Sequence, residues 1–173
     1  MVEEFDVHQH RLRTIQRVHA AEVNVHGIVF GGHLMSLADE LPSLLARRLT
    51  GKEVATATFG RVNFWAPLHD DQDLILESVV TGVAGWVVET FTIIWGENMY
   101  DQTRTLGFSC FSLYVVLDRG FTWQEEPVLK GTTPLEKELL AGFADRQAVR
   151  LRWRNVKRAL IDRQGRGEDD EHG

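Results

Sequence analysis

The chain has 173 residues, 43% of them hydrophobic and 25% charged, which is globular composition at a length that buries a core without staples and excludes wholesale disorder. Its one cysteine, Cys110, excludes a disulfide framework and a Cys-cluster zinc site. A formal charge of −6 argues against a protein built around nucleic acid.

That average hides an asymmetry. Residues 1–129 hold 9 Lys and Arg against 17 Asp and Glu, whereas 146–166 hold eight basic residues and one acid, Asp162. The acidic start, Met1 to Asp6, lacks the apolar run of a secretory signal. No apolar stretch approaches the roughly 18 residues needed to span a bilayer, so a cytoplasmic protein with no membrane partner is expected.

In chain order, residues 1–10 are polar and expected to fray. Residues 11–19 lean towards a strand, and 20–32 read as a loop ending in Gly31-Gly32. From 33 to 49, Leu34, Leu37, Ala38, Leu41, Leu45 and Leu49 share one helical face, and Thr50-Gly51 stops the helix. Pro42 lies inside it and should kink it locally. Four β-rich runs follow, at 54–66, 73–83, 86–96 and 104–118, joined by short breaks that imply antiparallel neighbours in a meander. After an irregular connection over 119–133, Pro134 opens a second helix, with Thr133 as its N-cap and an end near residue 162. The layout is α+β, a long helix packed on one antiparallel sheet. The expected organisation is a body over 8–120, a connection and basic helix over 121–163, and a disordered acidic tail over 164–173.

The stretch that carries chemistry is Asn24-Val25-His26-Gly27-Ile28-Val29-Phe30-Gly31-Gly32-His33, followed by Asp39. A Gly-Gly pair entering a helix frees backbone N–H groups at the positive end of the dipole, a ready site for a phosphate, a carboxylate or a polarised carbonyl oxygen. The Lys-Ser/Thr of a phosphate-binding loop is missing, so nucleotide hydrolysis is not expected. On a helical wheel Asp39 falls about 140° from Leu34, off the Leu stripe and in a column with Met35, Pro42 and Ala46. It is not expected to face the sheet. A carboxylate beside apolar neighbours and a second protein surface suits general-base work. Glu40 falls with Ser36, Ser43 and Arg47 and reads as solvated. The histidines (His8 with His10; His19, His26 and His33 every seven) bring no carboxylate or cysteine at ligand spacing, and no metal is expected.

These residues resemble the hotdog-fold acyl-CoA thioesterases, the acyl-CoA hydrolase subgroup. The subgroup's motif is an asparagine, a glycine, a Gly-Gly pair and an aspartate on the central helix, here Asn24, Gly27, Gly31, Gly32 and Asp39. Arg61-Val62-Asn63-Phe64-Trp65-Ala66-Pro67 is similar to the family's R-V-D-F-x-x-P strand, and Tyr114 to Asp118 to its closing strand. The chain departs from the pattern at Gly60 and Asn63, where the family has acids, at Trp86-Val87-Val88, where it has hydroxyl residues, and at Pro42.

The resemblance implies a hotdog fold, dimers with a continuous sheet, and assembly as a trimer of dimers. It also implies acyl-CoA hydrolysis at the dimer interface without cofactor. By position, Asp39 would activate water or attack, and the partner copy's asparagine at position 24 would orient water or thioester. The amides of Gly31, Gly32 and His33 would hold the thioester oxygen. Gly27, His26, His33 and Arg61 would line the substrate, Arg61 against a CoA phosphate. The basic arm from Arg146 to Arg163 reads as a solvated helix face or as further phosphate contacts, and Trp65 and Trp86 as candidates for an acyl pocket. The alternative is a non-catalytic acyl-CoA-binding module. A dehydratase would have to rely on His26.

Overall fold

The computed structural model describes residues 4–167. Its elements run β1 (Glu4–Asp6), β2 (Leu12–Arg17), a 3-10 turn (Ala20–Glu22), α1 (Gly31–Thr50), β3 (Val54–Phe64), β4 (Gln72–Ala84), β5 (Val87–Asn98), β6 (Arg104–Val116), β7 (Val128–Lys130), α2 (Pro134–Ala141) and α3 (Phe143–Gly167).

Helix α1 forms where the leucine periodicity predicts it. Leu34, Leu37, Ala38 and Leu45 are buried against the sheet, and each buried leucine contributes about 1.5–3 kcal/mol. The helix ends at Gly51, whose φ of 64° places it in the left-handed region and whose N–H caps the Arg47 carbonyl. The buried surface is wider than the leucine stripe, since Pro42 and Ala46 are buried as well.

A five-stranded antiparallel sheet in the order β2-β4-β5-β6-β3 packs on α1. Strands β4, β5 and β6 form a true meander. Strand β3 does not join it where the short 65–71 connection implied: it pairs with β6, at the far edge. Residues 65–71 therefore cross the end of the sheet. Three strand spacings are about 14 Å, well within the reach of seven extended residues. Along β6 both faces are buried from Gly107 to Ser112, and the face carrying Cys110, Ser112 and Tyr114 is the one against α1.

Further expectations are corrected. The first residues do not fray from Glu4 onwards, because β1 pairs in parallel with β7 and Val7 is buried in the core. The 119–133 connection thus contains a strand. The chain forms two compact units, Met1–Leu140, which holds β7 and most of α2, and Ala141–Gly173. The expected second helix is interrupted at Gly142, where glycine weakens helical continuity. Helix α3 then runs to Gly167, so 164–167 are helical, and the rest of the acidic tail lies outside the described residues.

The start of α2 is a capping box. The Thr133 hydroxyl accepts the Glu136 N–H, and the Glu136 carboxylate accepts the N–H groups of Thr132 and Thr133 at 2.9 and 2.8 Å. The other Glu136 oxygen lies 2.8 Å from His8 Nδ1. Burial pushes the Glu136 carboxyl up, but the Thr133 amide, the His8 ring and the Thr132 amide outweigh it and hold the group below its usual range. The stabilisation is therefore present above the ordinary carboxylate range and is lost as pH falls through the lowered folded value. Glu136→Gln is expected to cost about 1–2 kcal/mol at neutral pH. The deficit should shrink on acidification, as read from thermal midpoints at the two pH values. An equal deficit at both would show that the carboxylate charge is not what holds this corner.

Candidate active site

The loop before α1 is organised by Asn24. Its Oδ1 accepts the N–H groups of His26 at 2.9 Å and Ile28 at 3.2 Å, and its main chain pairs with Ile28 and Gly27. Two donors converging on this oxygen fix the orientation of the amide, so Asn24 has only N–H groups left to offer. Gly27 turns the loop at φ 69°, and its backbone pairs with Asn24 and Asp70, which accounts for glycine there. His26 is exposed, with its N–H held by Asn24.

At the helix entrance the two glycines differ. A Cβ at Gly31 would lie 2.9 Å from the Phe64 ring, so glycine lets the end of β3 approach the helix. A Cβ at Gly32 would meet nothing within 4 Å, so packing within the chain does not require glycine there. The His33 N–H donates to the Phe30 carbonyl at 2.9 Å. Of the three amides expected to hold an oxygen, only those of Gly31 and Gly32 are without a backbone partner among the described residues. The His33 ring lies 3.5 Å from the Glu22 carboxylate.

Asp39 is half-buried, and its Oδ1 accepts a hydrogen bond from the Thr56 hydroxyl on β3. The carboxylate thus does reach the sheet, contrary to the helical-wheel reading, because β3 flanks α1 on the side away from the leucine stripe. The Tyr114 hydroxyl donates to the Asp39 main-chain carbonyl at 2.9 Å. Neither partner was singled out from the sequence. They lie 17 and 75 residues away, and only the alternation of β3 and β6 hinted that they shared a face with anything. Glu40 is exposed, as expected.

The expected site residues do not converge within one chain. At 1.5 Å per residue, Gly32 and Asp39 stand about 10 Å apart along α1. No hydrogen bond joins the Asn24 loop to Asp39 among the described residues. Arg61 is exposed, with φ 47° at an irregular step between Gly60 and Asn63, and lies about 16 Å along β3 from Thr56. Trp65 and Trp86 are more than half exposed, with the Trp65 Nε1 donating to Ser109. Cys110 is buried, which pushes its thiol up to about 11 and makes it inert. Among the described residues, no group of three or more His, Cys, Asp or Glu is arranged to hold a metal ion, and no helix is long and apolar enough to cross a membrane.

The profile of the thioesterase superfamily matches residues 26–100. An uncharacterized acyl-CoA thioester hydrolase of Bacillus subtilis is 32% identical over 124 residues, covering 72% of this chain and 71% of that protein. Among solved structures, an acyl-CoA hydrolase of Bacillus cereus superposes with a TM-score of 0.77 at 23% identity, over 94% of this chain and 97% of the other. One from Staphylococcus aureus, in complex with butyryl coenzyme A, coenzyme A and coenzyme A disulfide, gives 0.84 at 20% identity, over 94% and 99%. An apo-hexameric acyl-CoA thioesterase gives 0.78 at 24% identity, over 87% and 97%. The shared architecture, a sheet around one long helix, is the hotdog fold.

Proposed function

The chain belongs to the thioesterase superfamily and is a thioester hydrolase; from that premise we propose that it cleaves an acyl-CoA to the free acid and CoA at a site shared by two copies. The observation that carries the reading is the Asp39–Thr56 contact, which sets the one half-buried carboxylate of α1 against the outermost strand of the sheet.

Three features support a shared site. Strand β3 is eleven residues long, contains neither proline nor lysine, and offers a free edge, which is a template for pairing with a second copy. At its end Phe64 and the following Trp65 are exposed, as is Phe30, which precedes the Gly31 that Phe64 packs against, an apolar surface of the kind an obligate partner covers. The separation of Gly32 from Asp39 along α1, about 10 Å, is compatible with one thioester taking its oxygen contacts and its base from different copies. A two-fold pairing of β3 edges would bring the helix entrance of one copy to the Asp39 of the other. The hexameric relatives fit such dimers assembled further by three.

In this site Asp39 takes a proton from water, which attacks the thioester carbon. The carbonyl oxygen becomes an oxyanion held by the Gly31 and Gly32 amides at the positive end of α1. The carbon–sulfur bond then breaks, and the proton passes from Asp39 to the leaving thiolate. No acid stronger than this is needed, since thiolate is a good leaving group. The side-chain N–H groups of Asn24, the only donors it retains, orient the water or the thioester. The Staphylococcus aureus hydrolase has been solved with an asparagine, an aspartate and a threonine each replaced by alanine. Their spacing along that chain is the spacing of Asn24, Asp39 and Thr56 here, which supports the same trio.

A thiol-release assay over acetyl-, butyryl-, octanoyl- and palmitoyl-CoA tests the reading. Turnover of at least one ester by an oligomer is expected. Saturable binding of all four without thiol release would replace hydrolysis by a binding role. Single turnover in heavy-oxygen water separates the two roles open to Asp39. Label enters the released acid if the carboxylate activates water, and enters Asp39 if it attacks and water then opens the anhydride at the enzyme's carboxyl.

A further inference from the structure

Pro42 has no N–H, so the helical hydrogen bond to the residue four before it, Ala38, cannot form. The Ala38 carbonyl is fully buried and would be left without its helical donor at a substantial cost. It is instead met from the sheet. Ser112 Oγ on β6 donates to it at 3.1 Å, and the Tyr114 hydroxyl lies at 3.3 Å from it and 2.9 Å from the next carbonyl, that of Asp39. Ser112 and Tyr114 are both fully buried. Ala38, with only a methyl group, lets β6 come this close to the helix backbone.

These two carbonyls belong to the peptide groups on either side of the Asp39 Cα. The backbone that carries the carboxylate is therefore gripped by β6, while the carboxylate itself is gripped by Thr56 on β3. We infer that Ser112 and Tyr114 are positioning residues for Asp39, replacing from the sheet the backbone hydrogen bond that Pro42 removes from α1. Burial, with the nearby Asp39 charge adding to it, pushes the Tyr114 phenol well above its ordinary range, so it keeps its proton and remains a donor throughout any assay range. The arrangement also explains why a proline is tolerated about three turns into a half-buried helix. The inference rests on the proposed role of Asp39.

The test is a cycle in the full-length oligomer, assayed with the acyl-CoA of the panel turned over fastest. Ser112→Ala combined with Tyr114→Phe is expected to lower kcat about tenfold or more with KM within about twofold, because a displaced base acts on the chemical step and not on substrate binding. Adding Pro42→Ala supplies the missing N–H to Ala38 from within the helix and is expected to restore most of kcat. If the combined variant does not fold, Ser112→Ala with and without Pro42→Ala carries the same comparison. A folded variant that loses thermal stability but keeps kcat, while Asp39→Asn is inactive, overturns the positioning role and leaves the site reading standing. An active Asp39→Asn protein overturns the site reading and this inference with it.

Discussion

Thiol release by the Asp39→Asn protein is expected to fall about a thousandfold, within the span lost when a positioned general base is removed, with the thermal midpoint nearly unchanged. The second half of this expectation follows from the geometry. Asparagine keeps an oxygen to accept the Thr56 hydroxyl, the bond that Asp39 makes in the native chain, and it fills the same volume. Its main-chain carbonyl still receives Tyr114. What is lost is the capacity to take a proton or to attack a carbonyl. KM should change little, since the carboxylate contributes nothing to CoA binding in this scheme. The measurement is kcat and KM on the folded oligomer beside a thermal melt. Unaltered kcat would remove Asp39 from the chemistry and return the site to the helix entrance alone.

Gly32→Ala carries the second large effect, and it separates packing from chemistry. Apart from its chain neighbours and its own helix backbone, no atom of the described residues lies within 4 Å of a Cβ at this position, and Gly32 is not in the left-handed region. Alanine near the start of α1 should leave the stability of the fold equal or raise it by about 0.5–1 kcal/mol. The methyl group projects beside an amide proposed to hold the thioester oxygen, and loss of one such donor costs about a hundredfold in kcat. Gly31→Ala is the contrasting variant. Its methyl group would sit 2.9 Å from the Phe64 ring, so it is expected to lose about 1–3 kcal/mol of stability through overpacking. A Gly32→Ala protein with native kcat would show that the oxygen is held elsewhere. A Gly32→Ala protein unable to assemble would instead mark residue 32 as a contact between copies.

Much of this could be read in the chain. The leucine spacing predicts α1, and the β-rich runs at 54–66, 73–83, 86–96 and 104–118 correspond to β3, β4, β5 and β6. Thr133 caps α2 as expected, through its bond from the Glu136 N–H. Local signals of this kind depend on side chains a few residues apart, which backbone geometry brings together whatever the fold. The three-residue strands β1 and β7 gave no such signal. They are too short for a pattern, and each exists only because the other, more than a hundred residues away, is beside it.

The surroundings of Asp39 show the same limit at the site itself. Residue type and periodicity drew attention to the glycines and to Asp39 and placed Pro42 in a helix where it removes a hydrogen bond; Asn24 was picked out by the resemblance to the acyl-CoA hydrolases. Which groups answer them was not legible. Thr56 reaches the carboxylate because β3 lies beyond β6 rather than beside β4. Ser112 and Tyr114 reach the carbonyls around Asp39 because that face of β6 is the one turned to the helix. Covalent spacing and local propensity were enough for α1, its glycine entrance and the four long strands. Strand order and the choice of sheet face were decided by the tertiary structure alone. They minimise exposed apolar surface and unpaired backbone over the whole chain, and no segment contains that information by itself.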